Sequence, residues 1–328
     1  MSAPPRIVVT RRIAGPALEL LAGAGELWVS PHDRPLRTEE LHAAVAGSDA
    51  IVTLLHDRVD GPLLAAAGRG LRIIANVAVG YDNIDLTACS ANGVIVTNTP
   101  GVLTDATADL AFALILMATR RLGEGERLIR AGTPWSWDMF FLLGSGLQGK
   151  RLGIVGLGQI GTAVARRARA FGMEISYAGR RRADAALEAE LGAGYLPLDE
   201  LLASADVVSL HCPLTSETRS LIDAAALARM KASAFLINTT RGPVVVEDDL
   251  AAALRASTIA GAGLDVYERE PLVHPALLEL ENVVLLPHLG SATTETRTAM
   301  ALLAARNTLA VLAGERPPTP VSAPRVDR

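Results

Sequence analysis

The sequence predicts an α/β protein with two doubly wound parallel sheets, and three observations support this fold class. The chain has 328 residues, which is enough for two domains with separate hydrophobic cores. Short runs rich in β-branched residues alternate with segments of helical periodicity, which is typical of parallel sheets covered by helices on both faces. This alternation stops near Leu103 and restarts at Arg151, so we expect two sheets rather than one.

The first alternation contains four predicted strands separated by helical segments. The stretches PALELLAGAG, TEELHAAVAG and PLLAAAGRG have apolar residues at helical spacing and end near glycine, which commonly terminates a helix. Strands joined through helices are expected to run parallel. The predicted strands are RIVVT (6–10), AIVTLL (50–55), LRIIANV (71–77) and GVIVTNT (93–99).

The stretch between the two alternations has a different composition. Residues 103–130 have the pattern of one long helix, and residues 132–150 that of a loop, which holds two of the three tryptophans of an aromatic-poor chain. The apolar run LAFALILMA (110–118) is too short to span a bilayer and has charged residues around it. We therefore expect a buried helix there.

The second alternation predicts six strands, the number and order of a doubly wound dinucleotide-binding sheet. A further helix is predicted over residues 293–314, and the Pro-rich tail from Glu315 onward is expected to be loosely ordered. The strands are RLGIVG (151–156), EISYAG (174–179), VVSLH (207–211), FLINT (235–239), AGLDV (262–266) and VVLLPH (283–288).

Composition excludes several function classes. The net charge of −4 argues against a broad basic surface for nucleic acid. Cys89 and Cys212 have no metal-ligand spacing and no disulfide framework around them, which favours a reducing cytoplasm. The N-terminal stretch lacks the long apolar core of a signal peptide, so we expect a cytoplasmic protein without a membrane segment.

The stretch VGLGQIG (155–161) carries three glycines in the GxGxxG pattern. The pattern alone is weak, because glycines in a chain rich in small residues also mark simple turns. Here a strand precedes it and a helix follows, which is the setting that dinucleotide binding requires. Gly156 permits the tight turn, Gly158 lets the pyrophosphate approach the backbone, and Gly161 lets helix and strand pack closely. The phosphates would face the helix N-terminus.

The stretch SYAGRRRAD (176–184) indicates which cofactor is bound. An NAD site places an Asp or Glu at the end of this strand, about 20 residues beyond the glycines, to bind the ribose hydroxyls. Here Ala178 or Gly179 occupies that position, and Arg180, Arg181 and Arg182 follow. Guanidinium groups bind phosphate in a bidentate manner, so the stretch predicts the 2′-phosphate of NADP. A solvated basic turn is the alternative.

Three successive strands lead into charged residues at the edge of the sheet where such folds bind ligands. FLINTT is followed by Arg241, AGLDV leads to Glu270, and VVLLP is followed by His288. Arg241 can bind a carboxylate or a carbonyl oxygen. His288 can donate a proton to that oxygen as hydride reaches carbon, and Glu270 can orient the imidazole and favour its protonated form. No metal is needed, because nicotinamide carries out the redox step.

Other residues compete for these roles. His211 also ends a strand, but HCPLT has no acid nearby, and this histidine can simply line the nucleotide cleft. Glu268 competes with Glu270, and sequence position alone does not separate them. The remaining histidines have no partner motif, and we expect His274 to be exposed and the others to have surface or core roles; these are His32, His42 and His56.

Seven stretches together form a specific pattern. They are NVAVGYDNID (76–85), NTPGVLTDATADLAFALIL (98–116), GKRLGIVGLGQIG (149–161), HCPLTSET (211–218), LINTTRGPVV (236–245), GLDVYEREP (263–271) and LPHLGSAT (286–293). Over nearly its whole length the chain resembles the D-isomer-specific 2-hydroxyacid dehydrogenases, and it is most similar to the glyoxylate and hydroxypyruvate reductase branch. The resemblance implies NADPH-dependent reduction of a small 2-oxo acid, with NADH possible.

The resemblance also assigns site residues. The family's catalytic Arg, Glu and His fall on Arg241, Glu270 and His288, which favours Glu270 over Glu268. The substrate carboxylate is expected at the backbone N–H groups of Val79 and Gly80, and Asp265 near the nicotinamide amide. The expected cofactor-binding residues are Gly156, Gly158, Gln159, Ile160, Gly161, Arg180, Arg181, Arg182, Thr104, Pro213, Thr218, Thr239, Thr240, Asp265 and Gly290.

The family's architecture places the nucleotide domain inside the other domain. It implies a flavodoxin-like catalytic domain from residues 1–99 and 290–328, and a Rossmann domain from residues 100–289. Family members are usually dimers, and residues 103–150 resemble the dimer arm. In this branch a tryptophan of the arm can reach the partner's active site. Trp137 matches it, and burial within its own subunit is the alternative.

Departures from near relatives narrow the function further. Formate dehydrogenases have Gln in place of Glu270, phosphite dehydrogenases have Lys in place of Val79, and long phosphoglycerate dehydrogenases add a regulatory domain for which no residues remain. The other hypotheses are an NAD-dependent dehydrogenase of a bulkier 2-hydroxy acid and, less favoured, a nucleotide-sensing corepressor, since such relatives can keep the catalytic residues.

Overall fold

A computed structural model gives the fold of the chain and describes residues 3–321. The chain divides into two compact units, residues 1–103 with 292–328 and residues 104–291. Each unit contains one fully parallel sheet, so the predicted fold class is confirmed. None of the helices in the described part of the chain is both long and apolar enough to cross a membrane.

The sheet of the first unit has five strands in the order β2-β1-β3-β4-β5. The inner strands are buried on both faces, which explains why their sequences are continuous apolar runs. The sequence missed the edge strand β2, because its residues are half exposed and only Val29 is β-branched. The strands are β1 (Arg6–Val9), β2 (Glu26–Val29), β3 (Ala50–Thr53), β4 (Ile73–Asn76) and β5 (Ile95–Thr97).

Helices cover both faces of this sheet. One face packs against α2, α3 and α4, and the other against α1 and the last helix, α13. The tail after α13 is more ordered than the sequence indicates, because residues 319–321 pair antiparallel with β5. Residues 322–328 of that predicted tail lie outside the described residues. The helices are α1 (Gly15–Ala22), α2 (Thr38–Val45), α3 (Gly61–Ala67), α4 (Leu86–Ala91) and α13 (Thr294–Leu312).

The sheet of the second unit has seven strands in the order β12-β11-β10-β9-β6-β7-β8. Six were predicted; the seventh, β8, is a three-residue edge strand with glycines at and beside it. The chain reverses its winding direction between β6 and β9, and a ligand crevice is expected there. The strands are β6 (Arg151–Val155), β7 (Glu174–Ala178), β8 (Ala193–Tyr195), β9 (Val207–Leu210), β10 (Phe235–Asn238), β11 (Gly261–Leu264) and β12 (Val283–Leu285).

Two hydrophobic clusters hold helices on the two faces of this sheet. One face packs against α5 and α7, and the other against α9, α10 and α11. Aspartates cap several of the shorter helices, including Asp184 at α8 and Asp223 at α10. The helices are α5 (Thr104–Thr119), α6 (Leu122–Arg130), α7 (Gln159–Ala170), α8 (Ala185–Leu191), α9 (Leu198–Ser204), α10 (Ala224–Arg229), α11 (Glu247–Arg255) and α12 (Pro275–Leu278).

The prediction of one helix over residues 103–130 was wrong. Two helices, α5 and α6, meet at Arg121, whose φ of 55° is left-handed and cannot continue a helix. The returning chain at Ser145 donates its N–H to the carbonyl of Thr119, at 2.8 Å. This tertiary contact satisfies a free carbonyl at the end of α5, and sequence periodicity contains no sign of it.

Candidate active site

The glycine turn after β6 has the geometry of a phosphate cradle. Gly156 has a φ of 97°, and a Cβ there would lie 2.8 Å from the backbone of His211 and Cys212. Gly158 caps α7, and a Cβ there would meet no atom within 4 Å, so its backbone is open to a ligand. A Cβ on Gly161 would lie 2.4 Å from the Gly156 carbonyl oxygen. The residues present therefore fit a bound pyrophosphate.

The first turn of α7 adds hydrogen-bond donors to this cradle. The first helical bond runs from the N–H of Thr162 to the carbonyl of Gly158, at 2.8 Å. The N–H groups of Gln159, Ile160 and Gly161 therefore lie before the helical ladder begins, where anions bind. The Thr104 hydroxyl donates to the side-chain oxygen of Gln159 at 3.4 Å, which brings two predicted cofactor residues together.

The turn after β7 contains no carboxylate at the position where an NAD site has one. Ala178 is buried, Gly179 is exposed, and three exposed arginines follow. Arg180 Nη1 lies 3.8 Å from Glu217 Oε2, and Arg182 binds both carboxylate oxygens of Glu188 at 2.9 Å. These acidic partners come from the 211–218 loop and from α8, and sequence patterns did not identify them.

The loop after β9 is held by its own hydroxyl groups. Thr218 Oγ1 donates to the Pro213 carbonyl at 2.6 Å and accepts the N–H of Thr215 at 2.8 Å. These bonds fix the turn that carries Glu217. Two of the predicted cofactor residues, Pro213 and Thr218, are thus hydrogen-bonded to each other within the same loop.

His288 and Glu270 form a hydrogen-bonded pair at the ends of two neighbouring strands. Glu270 Oε2 lies 2.8 Å from His288 Nδ1, and Glu270 Oε1 accepts the N–H of Tyr267 at 3.1 Å. Burial raises the pKa of Glu270, but the bond to His288, its charge, the Tyr267 N–H and the charge of Arg241 together lower it. Glu270 therefore stays ionised, and His288 keeps Nε2 for other partners.

Asp265 fixes the backbone that carries His288. His288 has a φ of 55°, which is uncommon for a residue other than glycine. The nearly fully buried Asp265 carboxylate accepts the N–H groups of Leu289 at 2.6 Å and Gly290 at 2.8 Å, directly after His288. Burial raises the pKa of Asp265, although both N–H groups oppose that effect. This positioning role was not anticipated from the sequence.

Arg241 is brought to the same edge by a constrained turn after β10. Asn238 Oδ1 accepts from the backbone and hydroxyl of Thr240, and Asn238 Nδ2 donates to the Arg241 carbonyl at 3.0 Å. A Cβ on Gly242 would lie 1.8 Å from the Tyr267 carbonyl carbon, so only glycine permits this approach. Because of this close packing, the positive charge of Arg241 is near enough to Glu270 to lower the pKa of its carboxyl group. The hydroxyl of Thr239 is buried without a hydrogen-bond partner among residues 3–321.

The competing residues have other roles. Glu268 accepts the N–H of Glu247 at 2.9 Å, and Glu247 accepts the N–H of Glu268 at 2.8 Å. These reciprocal bonds join the two backbone segments, so Glu268 has a structural role. His211 Nε2 lies 2.8 Å from Ser209 Oγ, and burial lowers the pKa of His211 to about 4. The expectation that His274 is exposed was wrong: its ring is half buried, contacts Asp248 and caps α12.

The loop 76–80 of the first unit is ordered by asparagine side chains. Asn98 Nδ2 donates to the Val79 carbonyl at 2.8 Å, and Asn76 Nδ2 donates to the Gly80 carbonyl at 3.0 Å. The carbonyls of Val79 and Gly80 thus already accept hydrogen bonds from side chains of the first unit. The N–H groups of Val79 and Gly80 have no acceptor within residues 3–321, so they are available to an anion.

Trp137 lies in the aromatic loop and is 78% exposed, so it is not buried within its own subunit. Trp135 is also exposed and stacks on Phe141 with ring centroids 6.1 Å apart. In the part of the chain that the structure describes, no group of His, Cys, Asp or Glu could hold a metal ion.

Comparison with known proteins identifies the family of this chain. A family model described as D-isomer specific 2-hydroxyacid dehydrogenase, NAD binding domain, matches residues 112–290. Glyoxylate reductase of Thermococcus litoralis is 48% identical over 325 residues, covering 97% of each chain. Glyoxylate reductase of Pyrococcus furiosus is 47% identical over 323 residues, covering 97% of this chain and 95% of that protein.

Solved structures give the same result. A glyoxylate reductase from Paecilomyes thermophila superposes with a TM-score of 0.88 at 36% identity, covering 98% of this chain and 99% of that one. An NADPH-dependent glyoxylate/hydroxypyruvate reductase from Sinorhizobium meliloti, in complex with NADP and malonate, has a TM-score of 0.82 at 35% identity, covering 98% and 97%. This chain therefore belongs to the D-isomer specific 2-hydroxyacid dehydrogenase family.

Proposed function

We propose that this protein is a reductase that transfers hydride from NADPH to a small 2-oxo acid such as glyoxylate or hydroxypyruvate. The observation that carries the proposal is the Glu270–His288 pair beside Arg241, in the same unit as a glycine cradle. The full-length similarity to glyoxylate reductases supports the substrate class.

The chain's own residues supply binding and proton transfer. Arg241 binds the substrate carboxylate or its carbonyl oxygen. The reduced nicotinamide, when bound, supplies hydride to C2. His288 donates the proton on Nε2 to the carbonyl oxygen, which yields the hydroxyl of the product. Glu270, held ionised, stabilises the protonated imidazole and fixes its orientation.

Other residues, which lie around the glycine cradle and the ends of the strands, would hold the cofactor that the sequence predicts. The glycine cradle and the N–H groups of Gln159 and Ile160 bind the pyrophosphate. Asp265 would be the residue near the nicotinamide amide, and the residues that would line the cofactor cleft are Thr104, Pro213, Thr218, Thr239, Thr240 and Gly290. Preference for NADPH follows from the arginine turn after β7, where a carboxylate that would repel the 2′-phosphate is absent. The reductase from Sinorhizobium meliloti, solved with NADP, supports this preference.

A substrate panel tests the proposal. We expect measurable kcat/KM with NADPH on glyoxylate or hydroxypyruvate, higher than with NADH and higher than on bulkier 2-oxo acids. Absence of turnover on every small 2-oxo acid would contradict the proposed activity. Turnover confined to bulkier acids with NADH would instead support an NAD-dependent dehydrogenase.

Removal of the proton donor gives a sharper result. His288→Ala is expected to lower kcat by about 10²- to 10⁴-fold, the usual contribution of a positioned general acid. His32→Ala is the matched control, because that histidine is exposed in the first unit. If the two variants turn over at the same rate as the wild type, His288 does not transfer the proton.

A further inference from the structure

The three arginines after β7 differ in how firmly they are held, and this difference points to a further specificity residue. Arg182 contacts Glu188 through two hydrogen bonds of 2.9 Å. Tyr177 donates its hydroxyl to the same carboxylate at 2.6 Å and accepts the N–H of Ala183 at 2.8 Å. The Glu188 side chain is only 13% exposed within this network. Arg182 therefore stabilises the turn through its bonds to Glu188.

Arg180 is held much more loosely. Its Nη1 lies 3.8 Å from Glu217 Oε2, which is an ion pair without a hydrogen bond, and both side chains are more than two-thirds exposed. An exposed pair of this kind contributes little stability and exchanges partners easily. Arg181 is exposed and has no ion pair within residues 3–321. Arg180 and Arg181 are thus the guanidinium groups available to an anion.

Glu217 reaches this turn from a separate loop. Thr215 Oγ1 donates to Glu217 Oε2 at 3.3 Å, and Thr218 fixes the loop through the Pro213 carbonyl. The carboxylate is therefore placed beside Arg180 by the fold. An anion that pairs with Arg180 therefore binds close to the negative charge of Glu217 and competes with it for the guanidinium. A 2′-phosphate carries close to two negative charges at neutral pH, so it is opposed more strongly than a ribose hydroxyl.

We propose that Glu217 is a specificity residue that moderates the preference for NADPH by competing with the 2′-phosphate for Arg180. This inference rests on the proposed cofactor preference and adds a determinant outside the arginine turn. Without Glu217 the arginines would discriminate more strongly between the two cofactors. With it, NADH binding is affected little and NADPH binding is weakened.

Equilibrium binding tests the proposal without depending on turnover. Dissociation constants for NADPH and NADH are measured by titration calorimetry for the wild type and for Glu217→Gln. We expect the variant to bind NADPH about two- to fivefold more tightly, because one exposed charge contact is removed, with NADH unchanged. The gain should shrink as salt increases, since exposed charges are screened.

Glu190→Gln is the matched control, because it removes one exposed negative charge from the same unit. Glu190 pairs with Arg166 at 2.7 Å and with none of the three arginines of the turn, so the variant reports the effect of removing a nearby negative charge that does not contact Arg180. Equal gains in NADPH affinity for the two variants would overturn the proposal. No gain for Glu217→Gln would overturn it as well.

A second variant separates this inference from the cofactor preference on which it rests. Arg180→Ala is expected to weaken NADPH binding and leave NADH binding nearly unchanged. If it weakens both equally, the proposed NADPH preference fails. If Arg180→Ala acts selectively on NADPH while Glu217→Gln has no effect, only the role of Glu217 fails. A shared melting temperature among the variants confirms that each is folded.

Discussion

His211 ends β9 as a histidine that stays neutral across the physiological pH range. Its Nε2 contacts Ser209 Oγ at 2.8 Å, while its Nδ1 is buried without a partner among residues 3–321. Burial lowers the pKa of His211 to about 4, because the surroundings disfavour the charged ring. A histidine of this kind carries no proton to give as an imidazolium at neutral pH. The physical chemistry thus separates it from His288, although both follow strands of the same sheet.

This burial predicts a measurable pH dependence of stability. Between pH 6.5 and 4, His211 is protonated in the unfolded chain but stays neutral in the folded chain. The free energy of unfolding is therefore fully retained above pH 6.5 and declines as the pH falls toward 4. The decline attributable to His211 is on the order of 3 kcal/mol. Urea unfolding at several pH values should show a shallower slope for His211→Gln than for the wild type.

Ser209→Ala provides the control for that slope. It removes the hydrogen bond to His211 but leaves the ring buried, so the dependence on pH should remain. If His211→Gln keeps the full wild-type slope, another group accounts for the pH dependence.

At the scale of single residues, the sequence identified functional residues more successfully than it identified the side chains and backbone groups that they contact. Arg241, Glu270 and His288 could be picked out because each follows a predicted strand, and parallel strands end at the same edge. The pairing of Arg180 with Glu217 could not, because Glu217 lies well beyond the end of β9 in a loop whose path the strand pattern does not give. Likewise, nothing in the pattern around Asp265 indicated that its carboxylate would fix the backbone after His288.

The junction between β6 and α7 places two glycines under different constraints. Gly158 has open space where a Cβ would be, whereas a Cβ on Gly161 would lie 2.4 Å from the Gly156 carbonyl oxygen. Gly158→Ala should therefore fold normally but weaken NADPH and NADH alike, by about 10- to 100-fold, as expected for a lost contact to a charged group. Gly161→Ala should lower the free energy of unfolding by about 1–3 kcal/mol through overpacking.

Paired measurements of melting temperature and cofactor affinity distinguish the two effects. An unstable Gly158→Ala variant, or a Gly161→Ala variant as stable as the wild type, would show that the cradle does not have the geometry described here.

Among the elements, those buried on both faces were the most predictable. Strands β3, β4 and β10 are continuous apolar runs because helices cover them on both sides. The edge strands β2 and β8 lack this signal, since β2 is partly exposed and β8 contains Gly194. The division of the long helix at Arg121 depends on the return of Ser145 to Thr119, which is a contact between distant residues.

At the scale of the whole molecule, the loop after α6 carries a group of exposed apolar side chains. Trp137, Met139, Phe140 and Leu143 are between 58% and 80% exposed. Exposed apolar patches of this kind usually mark interfaces, and the arm of a homodimer is the occupant that the family resemblance implies. We therefore propose that this loop packs against a second copy of the chain.

Light scattering during size exclusion checks the proposed dimer. We expect the wild type to have twice the mass of one chain and Phe140→Glu to shift toward the monomer, because a charge in an apolar interface is costly. Leu278→Glu is the control, since Leu278 is 64% exposed but lies on α12, away from the loop. A wild-type monomer, or equal dissociation by both variants, would contradict this interface.

The first unit is made from both ends of the chain, and this has a consequence for its biosynthesis. Helix α13 covers part of the sheet face that contains Ile7 and Val9, and residues 319–321 complete the edge at β5. At about 5–20 residues per second, the ribosome needs on the order of 10 to 40 seconds to make the intervening unit. During that interval the nascent first unit lacks its last helix and leaves apolar surface uncovered, while the continuous second unit is free to fold. We therefore expect aggregation to be a greater hazard for the growing chain than for the finished protein.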